Sequence, residues 1–176
     1  LLATACVLRA YLNWLGLGVR DPLGQFVIAV TDWIVRPLRG VLPATRRNMR
    51  SVDWASLLAS LLLAVVLAVL YVLLFGGGRA PAFGVVVLLA IFWLAKWSLW
   101  LLTALVLLLA VLSWVNPHAP IAPTIDALTR PFLAPIRRFV PLIGGVDLSP
   151  LVLILLAQLA LTLLQSVMPT FFAAVA

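Results

Sequence analysis

Side chains able to carry acid–base or metal chemistry are scarce in this chain. Its 176 residues include one histidine, His118, one cysteine, Cys6, and no glutamate. Protein zinc sites draw three or four ligands from Cys, His and carboxylate side chains, so we predict no metal site within one chain. A Ser–His–Asp triad would need His118, which lies in the turn-rich segment NPHAP (116–120). We therefore predict no catalytic residue, no metal and no cofactor, in a protein that is not an enzyme.

Arginine is the one type of side chain able to bind a charged ligand that is abundant in the sequence. Eleven of the twelve cationic residues are arginine, whose planar guanidinium can hold a phosphate through two hydrogen bonds. A net charge of +7 also fits nucleic acid, but the Lys and Arg excess of cytoplasmic loops in membrane proteins explains it without such a partner. The residues that we predict to bind anionic lipid or a partner are Arg36, Arg39, Arg46, Arg47, Arg50, Arg130, Arg137 and Arg138.

Most of these arginines belong to a motif that occurs twice, as TDWIVRPLRGVLP (31–43) and TRPFLAPIRRFVP (129–141). Proline cannot continue a helix interior, and it pushes the preceding residue towards an extended conformation. We therefore predict that each motif is a rigid, bent connector that holds its arginines beside lipid phosphates. The motif positions predicted to be structural are Thr31, Pro37, Pro43, Thr129, Pro135 and Pro141.

The segments on either side of each motif also correspond. An amphipathic stretch precedes each one, with Asp32 four residues before Arg36 and Asp126 four before Arg130. This pattern predicts a helix in the membrane surface, although packing on neighbouring helices fits it as well. After the motifs, Asp53 and Asp147 each precede an apolar run, and we predict that both cap the N-terminus of a helix.

The elements that carry these residues are too apolar for a soluble domain. The chain is 65% hydrophobic and 10% charged, whereas soluble domains have about 25% charged residues. Apolar runs of about 20 residues predict membrane-spanning helices. Such runs lie at 1–18, 54–75, 98–115 and 151–168.

The stretch 82–115 is longer than one perpendicular crossing requires. Trp93, Lys96 and Trp97 within it are of the types that favour the lipid headgroup level. We therefore predict a surface or tilted helix over 83–95, followed by a crossing over 98–115. A single, strongly tilted or kinked helix is the alternative.

Residues 1–14 align with residues 101–114 at an offset of 100. The predicted fold is thus an all-α membrane protein with about four transmembrane helices in two tandem helix–loop–helix repeats and amphipathic cytoplasmic loop helices. The first repeat is 1–75, an outer loop with an interfacial helix is 76–97, and the second repeat is 98–176. Because the chain begins with Leu1 inside an apolar run, we expect the native N-terminus to lie upstream.

Orientation follows from the distribution of cations. The loops on one side hold nine arginines, and the loop on the other side has only Arg79. The positive-inside rule then places both basic loops in the cytoplasm and both termini outside. Arg9 lies five residues before Trp14, and we predict that it snorkels to the cytoplasmic headgroups as an anchor.

Two stripes predict helix packing. Small residues recur every four positions on the second apolar run, which favours close helix packing. Polar residues form a stripe on the last apolar run, and we expect them to make interhelical hydrogen bonds. A docking surface for a partner protein or a path for a solute is the alternative for this polar stripe. These residues are Ser56, Ser60, Ala64 and Ala68, and then Gln158, Thr162 and Gln165.

Several of these segments together resemble the YggT family, also called YlmG, of bacterial inner-membrane proteins with chloroplast relatives. The resemblance departs at Gly40, where a second arginine is expected, and at the basic insertion ATRRNMRS (44–51). It implies no assigned catalysis, and roles in membrane-complex assembly, envelope or division-related organisation and osmotic tolerance. The segments that carry the resemblance are LRAYLNW (8–14), DPLGQFV (21–27), PLRGVLP (37–43), DWASLL (53–58) and TRPFLAPIRRFVPLIGGVDLSPLVL (129–153).

The function that we predict is that of a bacterial inner-membrane scaffold, assembly factor or accessory subunit of a membrane complex, acting through the basic loops. The expected partners are anionic membrane lipids and other membrane proteins or further copies of the chain. The alternative is an oligomeric transporter or channel component linked to osmotic or ion homeostasis.

Overall fold

The computed structural model describes residues 1–17, 21–41, 53–75, 83–116, 118–140 and 147–175. These residues form six α-helices and no β-strand, so the predicted all-α class is confirmed. The helices are α1 (Leu2–Leu15), α2 (Pro22–Val41), α3 (Trp54–Phe75), α4 (Phe83–Val115), α5 (Ala122–Arg137) and α6 (Ser149–Val175). The predicted site residues that lie outside the described part are Pro43, Arg46, Arg47, Arg50 and Pro141.

Three of these helices are long and apolar enough to cross a membrane. The candidate spans are Trp54–Leu74 in α3, Phe83–Val115 in α4 and Ser149–Met168 in α6. A hydrocarbon core about 30 Å thick needs about 20 apolar residues in helical form, and each of these spans meets that length. The chain is therefore a multi-pass membrane protein. α1 has 14 residues, and its crossing stays a prediction.

α4 corrects the predicted break before Lys96. The helix continues through Lys96 from Phe83 to Val115, and the Ser98 hydroxyl donates to the Leu94 carbonyl at 2.7 Å across the expected boundary. No glycine or proline occurs between residues 85 and 115, so nothing interrupts the backbone hydrogen bonds. The separate surface helix is wrong, and the single-helix alternative is the one observed.

The proline motifs also differ from the prediction. Pro37 lies inside α2, and Pro131 and Pro135 lie inside α5, so a bent connector is wrong for the described part of both motifs. A helical proline leaves one carbonyl without its N–H partner. All three prolines are on exposed faces, where water or lipid headgroups can bind that carbonyl. The helix can therefore continue through them.

The chain divides into two compact units, one built from Leu1–Ser98 and the other from Leu99–Ala174. In the first unit, α1, α2 and α3 pack on one another. Their shared core consists of the buried side chains Cys6, Val35, Ala55 and Ala59. The core residues of α3 are thus alanines, whose small side chains let helices approach closely.

The small-residue stripe of α3 belongs to the same packed surface. Ser56, Ser60, Ala64 and Ala68 are all buried. The Ser60 hydroxyl donates to the Leu57 carbonyl at 2.7 Å, so its polar group is satisfied within the helix. Four adjacent small buried side chains leave room for the neighbouring backbone.

In the second unit, the core joins the C-terminal half of α4 to α5 and α6. Val106, Leu133 and Leu153, one from each helix, form the buried cluster. Leu102, Leu109, Ile136 and Ile154 are half-buried and pack against it. α5 is therefore held on the two apolar helices by its own apolar stripe.

Leu133→Ala is expected to destabilise the protein because Leu133 is fully buried in this cluster. Truncating a buried leucine costs about 2–5 kcal/mol. Leu159 is exposed on α6, so Leu159→Ala is the matched control and should cost less than about 1 kcal/mol. Thermal unfolding in detergent measures both variants. Equal effects would contradict the assignment of Leu133 to the core.

Candidate functional site

Each unit has an aspartate–arginine pair at the N-terminal end of an apolar helix, α3 in the first unit and α6 in the second. Asp53 directly precedes α3, and its side chain is almost fully buried. Its Oδ1 accepts the Ser56 N–H at 3.3 Å, and its Oδ2 accepts the Ser56 hydroxyl at 2.8 Å. This is the geometry of a helix N-cap, in which a side-chain oxygen satisfies an N–H group of the first turn.

The same carboxylate also joins the other two helices of the first unit. Asn13 Nδ2, near the end of α1, donates to Asp53 Oδ2 at 2.6 Å. Arg39 Nη2, near the end of α2, donates to the same oxygen at 2.6 Å. We call Asn13, Arg39, Asp53 and Ser56 the Asp53 cluster. One carboxylate thus binds α1, α2 and α3 together.

The position of Asn13 depends on how α1 ends. Gly16 adopts a left-handed backbone with φ 76°, and its N–H donates to the Asn13 carbonyl at 3.1 Å while the Leu17 N–H donates to the Leu12 carbonyl at 3.0 Å. A residue with a Cβ is disfavoured in this conformation. Glycine therefore closes α1 directly after the turn that carries Asn13.

The environment of Asp53 favours its charged form. Burial by itself raises the pKa of this carboxyl, but the hydrogen bonds from Ser56 and the charge of Arg39 outweigh it. The resulting pKa lies below the ordinary aspartate value. Asp53 is therefore a carboxylate at neutral pH and retains its negative charge beside the Arg39 guanidinium.

A similar pair lies at the start of α6. Asp147 Oδ1 accepts the Ser149 N–H at 2.9 Å, and Oδ2 accepts Arg137 Nε at 2.9 Å. Burial by itself raises the pKa of the Asp147 carboxyl, but the hydrogen bonds from Ser149 and the charge of Arg137 outweigh it, so the pKa lies below the ordinary aspartate value. Arg137 Nη1 also lies 3.9 Å from Asp126 Oδ1. We call Asp126, Arg137, Asp147 and Ser149 the Asp147 cluster.

Arg9 is not the headgroup anchor that the sequence predicted. Its side chain is only 3% exposed, and it donates from Nη1 to Thr31 Oγ1 at 2.9 Å and from Nη2 to Asp32 Oδ1 at 3.0 Å. The guanidinium is therefore held in a buried ion pair with α2 and is not exposed as a free anchor. Asp32 supplies the charge that compensates the buried Arg9. Asp32 therefore pairs with Arg9 and not with Arg36, which lies four residues after it.

The two motif threonines are both buried. Thr31 Oγ1 donates to the Val27 carbonyl at 2.6 Å, and Thr129 Oγ1 donates to the Ile125 carbonyl at 2.8 Å. Each hydroxyl is thus satisfied one turn back in its own helix. Thr31 differs because it also accepts the bond from Arg9.

The predicted binding arginines fall into two groups in the described part of the chain. Arg39 and Arg137 bind the aspartates above, and Arg130 pairs with Asp126 at 3.1 Å on the surface. Arg36 and Arg138 are exposed, and neither has an acidic partner among the described residues. These last two guanidinium groups remain able to bind a phosphate through their N–H donors.

The polar stripe on α6 has one side-chain hydrogen bond in the described part of the chain, and it lies within the helix itself. Gln158, Thr162 and Gln165 are all exposed. The Thr162 hydroxyl donates to the Gln158 carbonyl at 2.9 Å. Within the described residues, no group of three or more His, Cys, Asp or Glu side chains is placed to hold a metal ion.

Sequence reasoning did not find Arg9 and Asn13 as members of these contacts. A signal was present, because Cys6, Arg9 and Asn13 follow one another at spacings of three and four, which places them on one helix face. An apolar run that keeps its polar residues on one face indicates that this face packs against polar partners.

The stability of the protein is expected to fall as the pH drops below about 4, the ordinary aspartate pKa. The folded-state pKa of Asp53 is lowered, so its stabilising contribution is complete above the unfolded-state value and is lost as the pH falls through the folded-state value. Asp53→Asn should therefore be less stable at neutral pH and lose part of this acid dependence. Thermal unfolding in detergent between about pH 6 and 3 measures it. Identical pH profiles for wild type and Asp53→Asn would contradict the assigned role.

Known proteins are similar to this chain over most of its length. A stretch of 157 residues is 36% identical to the Escherichia coli K12 protein named "Uncharacterized protein YggT", covering 85% of this chain and 76% of that protein. A Vibrio alginolyticus protein named "Uncharacterized protein in proC 3'region" is 33% identical over 155 residues, covering 88% of this chain and 82% of its own length. No solved structure matches the chain.

The family comparison covers both units. The CCB3/YggT family model matches residues 1–74 and 88–168. The matched segments include Arg39 and Asp53 in the first unit and Arg137 and Asp147 in the second. Since the match extends through nearly the whole chain and agrees with the relatives, this chain belongs to the CCB3/YggT family.

Proposed function

We propose that this chain is a non-enzymatic protein of the bacterial inner membrane whose surface helices α2 and α5 hold anionic lipid. In this way it serves as a scaffold, assembly factor or accessory subunit of a membrane complex. The observation that carries the proposal is the arginine–aspartate pair at the start of an apolar helix, present as Arg39–Asp53 and as Arg137–Asp147. Each pair binds an amphipathic helix to a membrane helix.

These pairs set the depth of the amphipathic helices. Asp53 directly precedes the candidate span Trp54–Leu74, and the end of a span lies near the headgroups. Arg39 bonds to Asp53, so the end of α2 lies at the same level. Exposed tryptophans at this end fit the aromatic belt of a membrane interface. They are Trp14, Trp33 and Trp54.

The exposed arginines have the surroundings that lipid binding needs. Arg138 is followed by Phe139, which is 85% exposed, and Arg36 lies between the exposed residues Trp33 and Pro37. Apolar side chains beside cations are typical of helices that lie in the bilayer surface. Each cation near an anionic surface adds about 1 kcal/mol of attraction. Anionic phospholipid is therefore the ligand that we propose for Arg36 and Arg138.

We further propose that the two units are tandem repeats, with α1 and the second half of α4 as corresponding crossings. Buried core residues at corresponding positions support this, namely Cys6 with Val106 and Val35 with Leu133. The family model also matches in two segments, 1–74 and 88–168. A repeat of this kind places both basic surfaces on one side of the bilayer, and the positive-inside rule makes that side cytoplasmic.

Labelling of single cysteines tests this topology. In a Cys6→Ala background, Arg46→Cys and Arg138→Cys should both be protected from a membrane-impermeant maleimide in intact cells and become labelled after permeabilisation. Arg79→Cys is the control and should be labelled without permeabilisation. Labelling of positions 46 and 138 from opposite sides would contradict the repeat.

The double variant Arg36→Ala, Arg138→Ala should lower the affinity for phosphatidylglycerol by about tenfold or more, from two cations at about 1 kcal/mol each. Binding of labelled lipid in nanodiscs and its decrease with salt measure the effect. Helix content should stay unchanged because both side chains are exposed.

Two variants control this experiment. Lys96→Ala removes one cation from α4 and should leave lipid binding unchanged. Arg138→Lys keeps the charge but loses the planar fork, so its effect should be smaller than that of Arg138→Ala. Unchanged phosphatidylglycerol binding in the double variant would overturn the lipid proposal.

A further inference from the structure

One face of α6 carries a regular series of exposed residues that the proposed function does not use. The series is Leu151, Leu155, Gln158, Thr162 and Gln165, and all five are exposed. Their spacings are four, three, four and three residues, which is the heptad pattern of a helix that packs along a second helix. We call these five residues the α6 seam.

The seam is separate from the face that α6 uses inside its own unit. The residues of α6 that are buried in the chain are Ser149, Leu153, Ala157 and Leu161. At about 100° per residue, the two series lie roughly a third of a turn apart. α6 therefore has one face packed in its unit and a second, seam-bearing face exposed.

The seam is poorly suited to contact with lipid. Gln158, Thr162 and Gln165 all lie within the candidate span Ser149–Met168. The structure shows no hydrogen bond to the side-chain amides of Gln158 and Gln165 among the described residues. Hydrocarbon offers no hydrogen-bond partners, so polar side chains in a membrane helix are expected to bond to another helix.

We propose that the α6 seam is a dimer interface and that its occupant is α6 of a second copy of this chain. Two copies inserted in the same orientation can form a closed pair only around an axis along the membrane normal. That symmetry makes the two α6 helices parallel, so that Gln158 faces Gln158 and Gln165 faces Gln165 of the partner. A side-chain amide both donates and accepts hydrogen bonds, so each glutamine can bond to the same glutamine of the second copy.

The composition of the seam fits this symmetric pairing. Leu151 and Leu155 are 56% and 62% exposed, and they supply apolar contact in the first half of the seam. The glutamines supply directional bonds in the second half. A polar residue at a seam position fixes the register of paired helices, so the two glutamines, seven residues apart, favour one alignment. This inference is independent of lipid binding by α2 and α5.

Oxidative cross-linking locates the interface. In a Cys6→Ala background, Leu155→Cys places a thiol on the seam, and Leu163→Cys places one on an exposed part of α6 outside it. With copper phenanthroline in proteoliposomes, Leu155→Cys should give a disulfide-linked dimer and Leu163→Cys should give at least about fivefold less, because a disulfide needs Cβ atoms about 4 Å apart. Absence of a dimer from Leu155→Cys, or equal cross-linking at both positions, would overturn the proposal.

Replacement of the amides tests what holds the dimer together. Gln158→Leu, Gln165→Leu keeps the helix apolar and of similar size but removes the interhelical hydrogen bonds. Förster transfer between labelled copies, followed over a range of protein-to-lipid ratios, should show a dissociation constant raised by about tenfold. Leu156→Ala and Leu163→Ala, both exposed outside the seam, should leave it unchanged.

The outcomes separate this inference from the lipid proposal. A monomeric wild-type protein at every protein-to-lipid ratio would mean that another part of the same chain or lipid covers the seam, and would overturn the dimer. An unchanged dissociation constant in the glutamine variant would overturn the hydrogen-bonded seam. Neither result depends on Arg36 or Arg138, whose variants should retain the wild-type dissociation constant. Loss of phosphatidylglycerol binding would likewise leave the dimer prediction intact.

Discussion

The architecture of the first unit depends on a buried carboxylate that needs partners. Asp53 is almost fully buried, and removal of its partners would leave an uncompensated charge, which is strongly destabilising. Asn13, Arg39 and Ser56 supply those partners from three helices. One requirement for charge satisfaction thus fixes the end of α1, the end of α2 and the start of α3 at one point. Asp147 is only partly buried, and it joins the end of α5 to the start of α6 through Arg137.

This constraint also helps to explain why α2 continues through a proline. A connector that bent at Pro37 would direct Arg39 away from the start of α3, whereas a continuous α2 places Arg39 within 2.6 Å of Asp53. The hydrogen bond lost at Pro37 lies on the exposed face, where its cost is smallest. Helix continuity is therefore favoured by an ion pair that sequence reasoning about proline alone does not include.

The sequence predicted the helical class, three apolar helices long enough to cross a membrane and the aspartates before α3 and α6, because these follow from composition and local capping chemistry. It gave a single helix over the α4 stretch only as the alternative, since Trp and Lys side chains indicate a preferred depth but do not interrupt a helix. The pairing of Arg9 with Asp32 was also missed. It depends on which faces of α1 and α2 meet, and that is decided by packing around Cys6 and Val35 rather than by spacing along one helix.

The two units differ at the Arg9–Asp32 contact, and the changes at the two positions agree with each other. In the alignment at an offset of 100, Arg9 corresponds to Leu109, which packs in the apolar core of the second unit. Without a buried cation there, no acid is needed at the α5 position that matches Asp32. In the aligned motifs 31–43 and 129–141, whose offset is 98, that position is Arg130. Arg130 is 70% exposed and pairs with Asp126 only at the surface, where such a pair contributes little. The first unit therefore contains a buried cation, Arg9, that the second unit replaces with the apolar Leu109, and the matching motif position on α5 carries its charge at the surface.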